Sequence, residues 1–275
     1  MTYKGFAEPR HLITPAGLKE RLREVALIDV RPGEDYANGH IEGALPFDLY
    51  GVSLNDTSEA PLNAFLWMIE NLLGFRGVSN ERTVVFYDHE SGERAARGVW
   101  LLDAFDHPDA KLLDGGLQAW QEAGFELTTK TAPVVRVGYS GGRRTDRLAT
   151  RFDVHAAIDD PEIILLDTRR ETEYRGTEKR ARRVGTIPGA VHVFWREHLD
   201  EKGAFRPAEE IRRLYESKGI TPDKAVIPYC QGGYRSANTY LALKMLGYSN
   251  VKNYLGSWWE WGNRDDSVIV LPEKS

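Results

Sequence analysis

Residues 226–247 decide how this chain is read: Val226-Ile227-Pro228-Tyr229-Cys230-Gln231-Gly232-Gly233-Tyr234-Arg235-Ser236-Ala237-Asn238-Thr239-Tyr240-Leu241-Ala242-Leu243-Lys244-Met245-Leu246-Gly247. The apolar run Val226–Tyr229 has the length and composition of a buried strand. It stops at Cys230, the only cysteine in the protein. Four residues then lead to Arg235, and a mostly apolar helical pattern follows, with Gly247 placed to cap its C-terminus. A thiol on a short glycine-bearing loop between a strand and a helix N-terminus faces several backbone N–H groups and the positive end of the helix. In such surroundings, and beside a cation such as Arg235, a thiol pKa falls from about 8.5 into roughly the 3.5–7.5 range. A cysteine that merely fills space needs neither Arg235 nor the adjacent Gly232 and Gly233, which cost conformational entropy. Nor does it need the C-terminal end of a strand, where open α/β sheets bind their ligands. The expectation is a reactive thiolate.

Composition narrows the setting. The chain has 275 residues, 41% hydrophobic and 28% charged, with a net charge of −5. That suits a soluble protein of one large or two ordinary domains, with no general attraction to nucleic acid or anionic membrane. One cysteine excludes an intrachain disulfide and a cysteine-rich metal site. The first ten residues carry no apolar signal segment, and no run approaches the roughly 18 apolar residues of a membrane span. A cytoplasmic enzyme is expected.

The chain also repeats itself. A helical pattern at 15–25 with Thr14 as N-cap, the strand Ala26–Val30, a helix over 60–73, the strand 83–87, a helix near 95–103 and the strand 111–113 make up the first half. Asp29-Val30-Arg31 is answered by Asp167-Thr168-Arg169, Gly39–Ala44 by Gly185–Ala190, Val84–Asp88 by Val226–Cys230, and Leu112–Trp120 by Asn253–Trp261. Offsets run from 138 (Asp29 to Asp167) to 146 (Gly39 to Gly185). A repeat that long means two homologous domains rather than a solenoid, and strands alternating with helices predict a parallel sheet in each, covered on both faces. The expected limits are 1–128 for the first domain, 129–150 for a polar linker and 151–275 for the second domain. Asp88 stands where the second repeat has Cys230, and the residues after it are acidic, so the first domain is expected to be catalytically silent.

The gap between Cys230 and Arg235 narrows the chemistry. Cysteine-dependent phosphatases place one residue more between the two, wrapping a phosphate. The shorter loop suits a thiol carrying one extra sulfur. With this loop, the two Asp-x-Arg strand ends, Tyr36-x-x-x-His40-Ile41-x-Gly43-Ala44, Ile187-Pro188-Gly189-Ala190 and Gly256-Ser257-Trp258-Trp259-Glu260-Trp261-Gly262-Asn263 in view, the sequence resembles the tandem-domain rhodaneses, bacterial sulfurtransferases of the thiosulfate/3-mercaptopyruvate group, over nearly its whole length.

The resemblance implies an α/β fold of two rhodanese-like domains. It also implies a sulfane sulfur moved from thiosulfate to a thiophilic acceptor, cyanide or a thiol, through a Cys230 persulfide with ping-pong kinetics. The persulfide would lie in the loop of Gln231, Gly232, Gly233, Tyr234, Arg235 and Ser236, with no metal and no cofactor. Arg180, Arg182 and Trp195 are candidates for binding an anionic donor, and Asp167, Arg169 and Glu173 for supporting the loop. Glu173 is expected to pair with Arg235 by charge complementarity. Relatives that use 3-mercaptopyruvate carry an arginine where Glu173 stands, and only Arg182 matches their second arginine. Glu42 and Thr186 also depart from the family pattern, in positions read as structural. The rival expectations are a 3-mercaptopyruvate sulfurtransferase and a persulfide carrier serving a protein partner. A monomer is expected.

Overall fold

The computed structural model describes residues 3–272, so the expected outer domain limits at residues 1 and 275 lie outside the described residues. The two halves repeat one order of elements. The first holds β1 (Leu12–Ile13), α1 (Pro15–Arg21), β2 (Ala26–Asp29), α2 (Gly33–Asn38), β3 (Leu45–Pro46), α3 (Glu59–Gly74), β4 (Val84–Tyr87), α4 (Glu93–Ala104), β5 (Ala110–Leu113) and α5 (Gly116–Glu122). The second holds β6 (Leu148–Ala149), α6 (Arg151–Ala157), β7 (Ile163–Asp167), α7 (Glu171–Tyr174), β8 (Val191–His192), α8 (Ala208–Glu216), β9 (Ala225–Tyr229), α9 (Arg235–Met245), β10 (Asn253–Tyr254) and α10 (Ser257–Trp261).

The first sheet is parallel throughout, in the order β1-β5-β4-β2-β3. The second consists of β8-β7-β9 and β10-β6, joined by a parallel bridge between Val226 and Val251, which restores the same order. Helices cover both faces of each sheet, which is why β2 and β4 read as unbroken apolar runs and are buried along their whole length. Thr14 caps α1 by accepting the Gly17 N–H at 3.0 Å, with Pro15 in the first turn. The helix ends at Arg21, not at residue 25, because the chain must turn to deliver Val25 to the core ahead of β2.

Of residues 129–150, read as a linker, 129–147 lie along the first domain, while Leu148–Ala149 form β6. Val137 N–H donates to Gly74 O, Arg144 N–H to Ala104 O, and Arg143 grips Glu70 with both terminal nitrogens at 2.6 and 2.7 Å. These bonds go to helix ends, a pattern with no periodic signature in sequence. Residues 134–137 run alongside without joining a sheet.

The halves share one core. α4 and α9 are buried nearly all round, polar side chains included, and pack on each other between the sheets. Polar links cross the same interface: Tyr240 donates its hydroxyl to Asp103, Asn238 donates to Ser91 O at 2.7 Å, and the Thr57 N–H and hydroxyl both donate to the buried Glu260. Among the described residues no helix is long and apolar enough to cross a membrane.

The packing of α4 on its own sheet leaves no room at Gly98, where a Cβ would stand 2.5 Å from the Phe86 ring. Gly98→Ala is expected to destabilise the protein by about 1–3 kcal/mol through overpacking, measured as a lower urea midpoint with an unchanged slope.

Candidate active site

The site is built on the carboxyl end of β9. Beneath it, Asp167 is fully buried and takes the Arg169 side chain through Nε at 2.9 Å, the Tyr229 hydroxyl at 2.9 Å and the Thr186 hydroxyl at 3.0 Å. Arg169 Nη2 also donates to Gly185 O at 2.7 Å, and its guanidinium lies 4.2 Å from the centre of the Trp258 ring. The first domain repeats the arrangement, with Asp29 holding Arg31 and Tyr87 and with Arg31 reaching Gly39 O at 2.7 Å. Both repeats carry this cluster and only one carries a thiol, so the Asp-x-Arg strand ends belong to the scaffold. They fix the height at which β9 releases the chain into Cys230.

The loop is then held from behind by the Gly256–Trp261 segment. Cys230 N–H donates to Ser257 Oγ at 3.1 Å, Trp258 N–H to Cys230 O at 3.0 Å, and Trp259 N–H to Gln231 O at 2.8 Å. Ser257 does this from a left-handed conformation, φ +50°, which costs a non-glycine residue roughly 1–2 kcal/mol. The first domain puts Gly116 there, φ +58°, with Leu117 N–H on Asp88 O. Gly233 turns the loop at φ +80°, and a Cβ there would meet Leu255 O at 2.8 Å.

Cys230 is 1% exposed. Its sulfur receives the Ser236 hydroxyl at 3.6 Å. Burial pushes the thiol up, but the Arg235 charge and the N–H groups of Ser236 and Gly232, with the Ser236 hydroxyl, outweigh it and hold the thiol below its ordinary value. Cys230 also faces the N-terminus of α9, which favours negative charge. Arg235 is itself aimed by Glu173, which it grips with both terminal nitrogens at 2.6 and 2.9 Å. Glu173 is buried, which pushes its carboxyl up, and Arg235 and the Arg170 N–H together bring it below the usual value.

The expected loop residues Gln231, Gly232, Gly233, Tyr234, Arg235 and Ser236 therefore all gather about Cys230, though not all face it. Gln231 Nε2 donates to Arg180 O at 2.9 Å. Tyr234 turns the other way and donates its hydroxyl to Leu49 O and to Val52 O, docking the loop on the first domain. Arg180 is half-exposed, 3.7 Å from Glu173. Arg182 points elsewhere, ion-paired with Asp265. Trp195 is buried in the core between the domains, its N–H on Thr168 O. Two residues that hold the loop escaped the sequence reading: Ser257, which accepts the Cys230 N–H, and Arg97, whose Nη1 donates to Gly232 O at 2.7 Å. The signal for Arg97 was there: a charged residue inside the otherwise apolar stretch Ala95–Leu102.

In the first domain, Asp88 occupies the place of Cys230, and its carboxylate accepts the His89 N–H. Burial pushes its carboxyl up to about 6. Among the described residues no group of three or more His, Cys, Asp or Glu side chains is gathered as a metal ion would need.

With the fold and loop in place, comparison with known proteins shows the class. The Rhodanese-like domain family matches twice, over residues 14–123 and 150–264, and the chain belongs to that family. More particularly, it is similar to the thiosulfate sulfurtransferase of Pseudomonas aeruginosa, 35% identical over 268 residues that span 97% of this chain and 99% of that protein. It is equally similar to the sulfur carrier protein TtuD of Thermus thermophilus, 35% identical over 277 residues covering 94% and 96% of the two chains. The fold also matches the solved anaerobic ergothioneine biosynthesis enzyme of Chlorobium limicola with a TM-score of 0.86, at 20% identity, over 96% of this chain and 71% of that one.

Two outcomes follow from the electrostatics. Glu173→Gln leaves the Arg235 guanidinium buried without its carboxylate, and a loss of about 3 kcal/mol in unfolding free energy at pH 7 is expected. Because the Glu173 pKa is depressed in the fold, its contribution is present above the ordinary carboxylate range and fades below it, so the two proteins should converge in stability as pH falls under 4.5. Asp88→Asn has the opposite sign. The Asp88 pKa is raised from 3.8 to about 6, so its ionised form opposes folding above pH 6 and not below pH 4. The variant should melt higher than wild type at pH 7 and equally at pH 4, a difference on the order of 3 kcal/mol.

Proposed function

We propose that this protein is a thiosulfate sulfurtransferase working through a persulfide on Cys230. The observation that carries the reading is the four-residue loop from Cys230 to Arg235, which turns the N–H groups of Gly232 and Ser236 and the Ser236 hydroxyl onto one sulfur. In the first half-reaction the Cys230 thiolate attacks the outer sulfur of thiosulfate. A Cys230 S–S bond forms, the S–S bond of thiosulfate breaks, and sulfite leaves with the bonding electron pair. In the second, the carbon of cyanide or the sulfur of a thiolate attacks the terminal persulfide sulfur, and the pair from the breaking S–S bond returns to Cys230 as thiolate. Charge is conserved in each step, no proton need be moved, and no redox partner is consumed. The loop donors serve the persulfide as an oxyanion hole serves a developing charge.

Donor choice is argued from Glu173 and Arg182. Glu173 is an anion, bound to Arg235, and Arg182 is paired with Asp265, so neither position offers an unpaired cation to the carboxylate of 3-mercaptopyruvate. Arg180 is half-exposed, and its pairing with Glu173 is long, at 3.7 Å, and shared with Arg235, which leaves it able to attract a small dianion. The first domain, with Asp88 at the thiol position, takes no part in the chemistry and serves as a packing partner. A second reading has support in the similarity to a protein named as a sulfur carrier: the persulfide would then pass to a protein thiol or thiocarboxylate rather than to a small acceptor.

Steady-state kinetics decide between them. Thiosulfate with cyanide should give parallel double-reciprocal lines and a kcat/KM at least tenfold above that with 3-mercaptopyruvate, and Cys230→Ser should lose turnover by more than about a thousandfold. A preference for 3-mercaptopyruvate would move the protein to the other donor, and sulfur transfer surviving in Cys230→Ser would remove the mechanism.

A further inference from the structure

Arg97 sits in the middle of α4, in the first domain, and is wholly buried. It has no carboxylate partner among the described residues. Nη1 donates to Gly232 O at 2.7 Å, Nη2 donates to Val52 O at 2.8 Å, and the guanidinium lies over the Tyr234 ring, 4.0 Å from its centre. Nε is buried without an acceptor. The nearby carboxylates are engaged elsewhere: Asp48 with Arg94, Asp103 with Arg10, Arg147 and Tyr240, Glu173 with Arg235, and Glu260 with Thr57, Tyr254 and Arg151. A buried charge with no counter-ion is unfavourable, and burial pushes the Arg97 guanidinium below the ordinary arginine value. The Cys230 thiol is among the groups that act on Arg97 through space, and its thiolate form would supply a counter-charge to the buried guanidinium.

The position of the contact adds a second effect. Peptide groups are planar and trans, so a carbonyl drawn to one side sends the following N–H to the other. Arg97 holds Gly232 O at 2.7 Å, and Asn253 Nδ2 holds Gly233 O at 3.1 Å. By planarity these bonds commit the N–H groups of Gly233 and Tyr234 to the opposite side of their peptides.

We propose that Arg97 is a positioning residue for Cys230, supplied across the interface by the domain that lacks a thiol: its unpaired charge favours the thiolate and persulfide, and its bond to Gly232 O fixes the loop peptides around them. The first domain then completes the site as well as packing against it. The proposal rests on the reading of Cys230 as a reactive thiolate, but its test uses no sulfur donor.

The test is the pH dependence of Cys230 alkylation by iodoacetamide, free of ambiguity because the chain has one cysteine. The residues that act on the thiol directly, Arg235, Ser236 and Gly232, are not substituted in any variant. Arg97→Met should move the titration midpoint up by about one pH unit, seen as an approximately tenfold slower reaction at pH 7 with the same limiting rate at high pH. Arg97→Lys, which keeps the charge but reaches only one of the two carbonyls, should hold the midpoint near that of wild type. A wild-type midpoint in folded Arg97→Met overturns the proposal. If Arg97→Met does not fold, as read by circular dichroism, Arg97→Lys decides alone. A midpoint kept low supports the charge, and a rise of a full unit with the ammonium present assigns Arg97 a purely structural clamp and overturns it. Loss of sulfur transfer with the predicted midpoint shifts intact would count against the proposed function and not against this role.

Discussion

Cys230 is buried at the end of a strand, and a sulfur there can carry negative charge only if its surroundings replace the water it has lost. Much of the second domain follows from that constraint. Arg235 brings the charge, Glu173 aims it, the start of α9 and the loop amides add partial charges, and Ser236 adds a hydroxyl. None of these groups could be arranged by an exposed loop. They need β9 at a fixed height, which the Asp167–Arg169–Tyr229 cluster supplies, and a support behind the loop, which Ser257 supplies at the cost of a left-handed backbone.

The two repeats act as an internal control. Strand order, the Asp-x-Arg cluster, the tyrosine that completes it and the helix after the loop recur in both, so these features make the fold. What separates the halves is local: Asp88 against Cys230, Glu93 against Arg235 and Gly116 against Ser257. A buried carboxyl raised to about 6 shows how poorly the first loop holds a negative charge. The second loop lowers a thiol under the same burial. The contrast lies in the cation and the inward donors, not in the architecture.

Much of this could be read from residues alone, for physical reasons. Fully buried parallel strands leave unbroken apolar runs, so Val84–Tyr87 and Val226–Tyr229 were visible, and Thr14 and Gly247 mark helix ends through specific bonds. Glu173 was placed against Arg235 by charge alone, and the structure makes the pair bidentate. What escaped was set by tertiary distance. Arg182 looked like a donor-binding cation, yet its partner Asp265 lies far along the chain. Residues 129–147 show no period because they bond to the ends of helices. Tyr234 was read as a member of the persulfide-binding loop, and its hydroxyl ties that loop to the first domain. Arg97 bears on Cys230 from the other domain, and no spacing rule connects residues so far apart in sequence.

The persulfide itself is the most direct thing to observe. Intact-mass measurement of the protein after thiosulfate treatment and desalting should show a gain of one sulfur atom per chain, located by peptide mapping at Cys230 and removed by cyanide. An unchanged mass after thiosulfate, or a sulfur found anywhere but Cys230, would contradict the account.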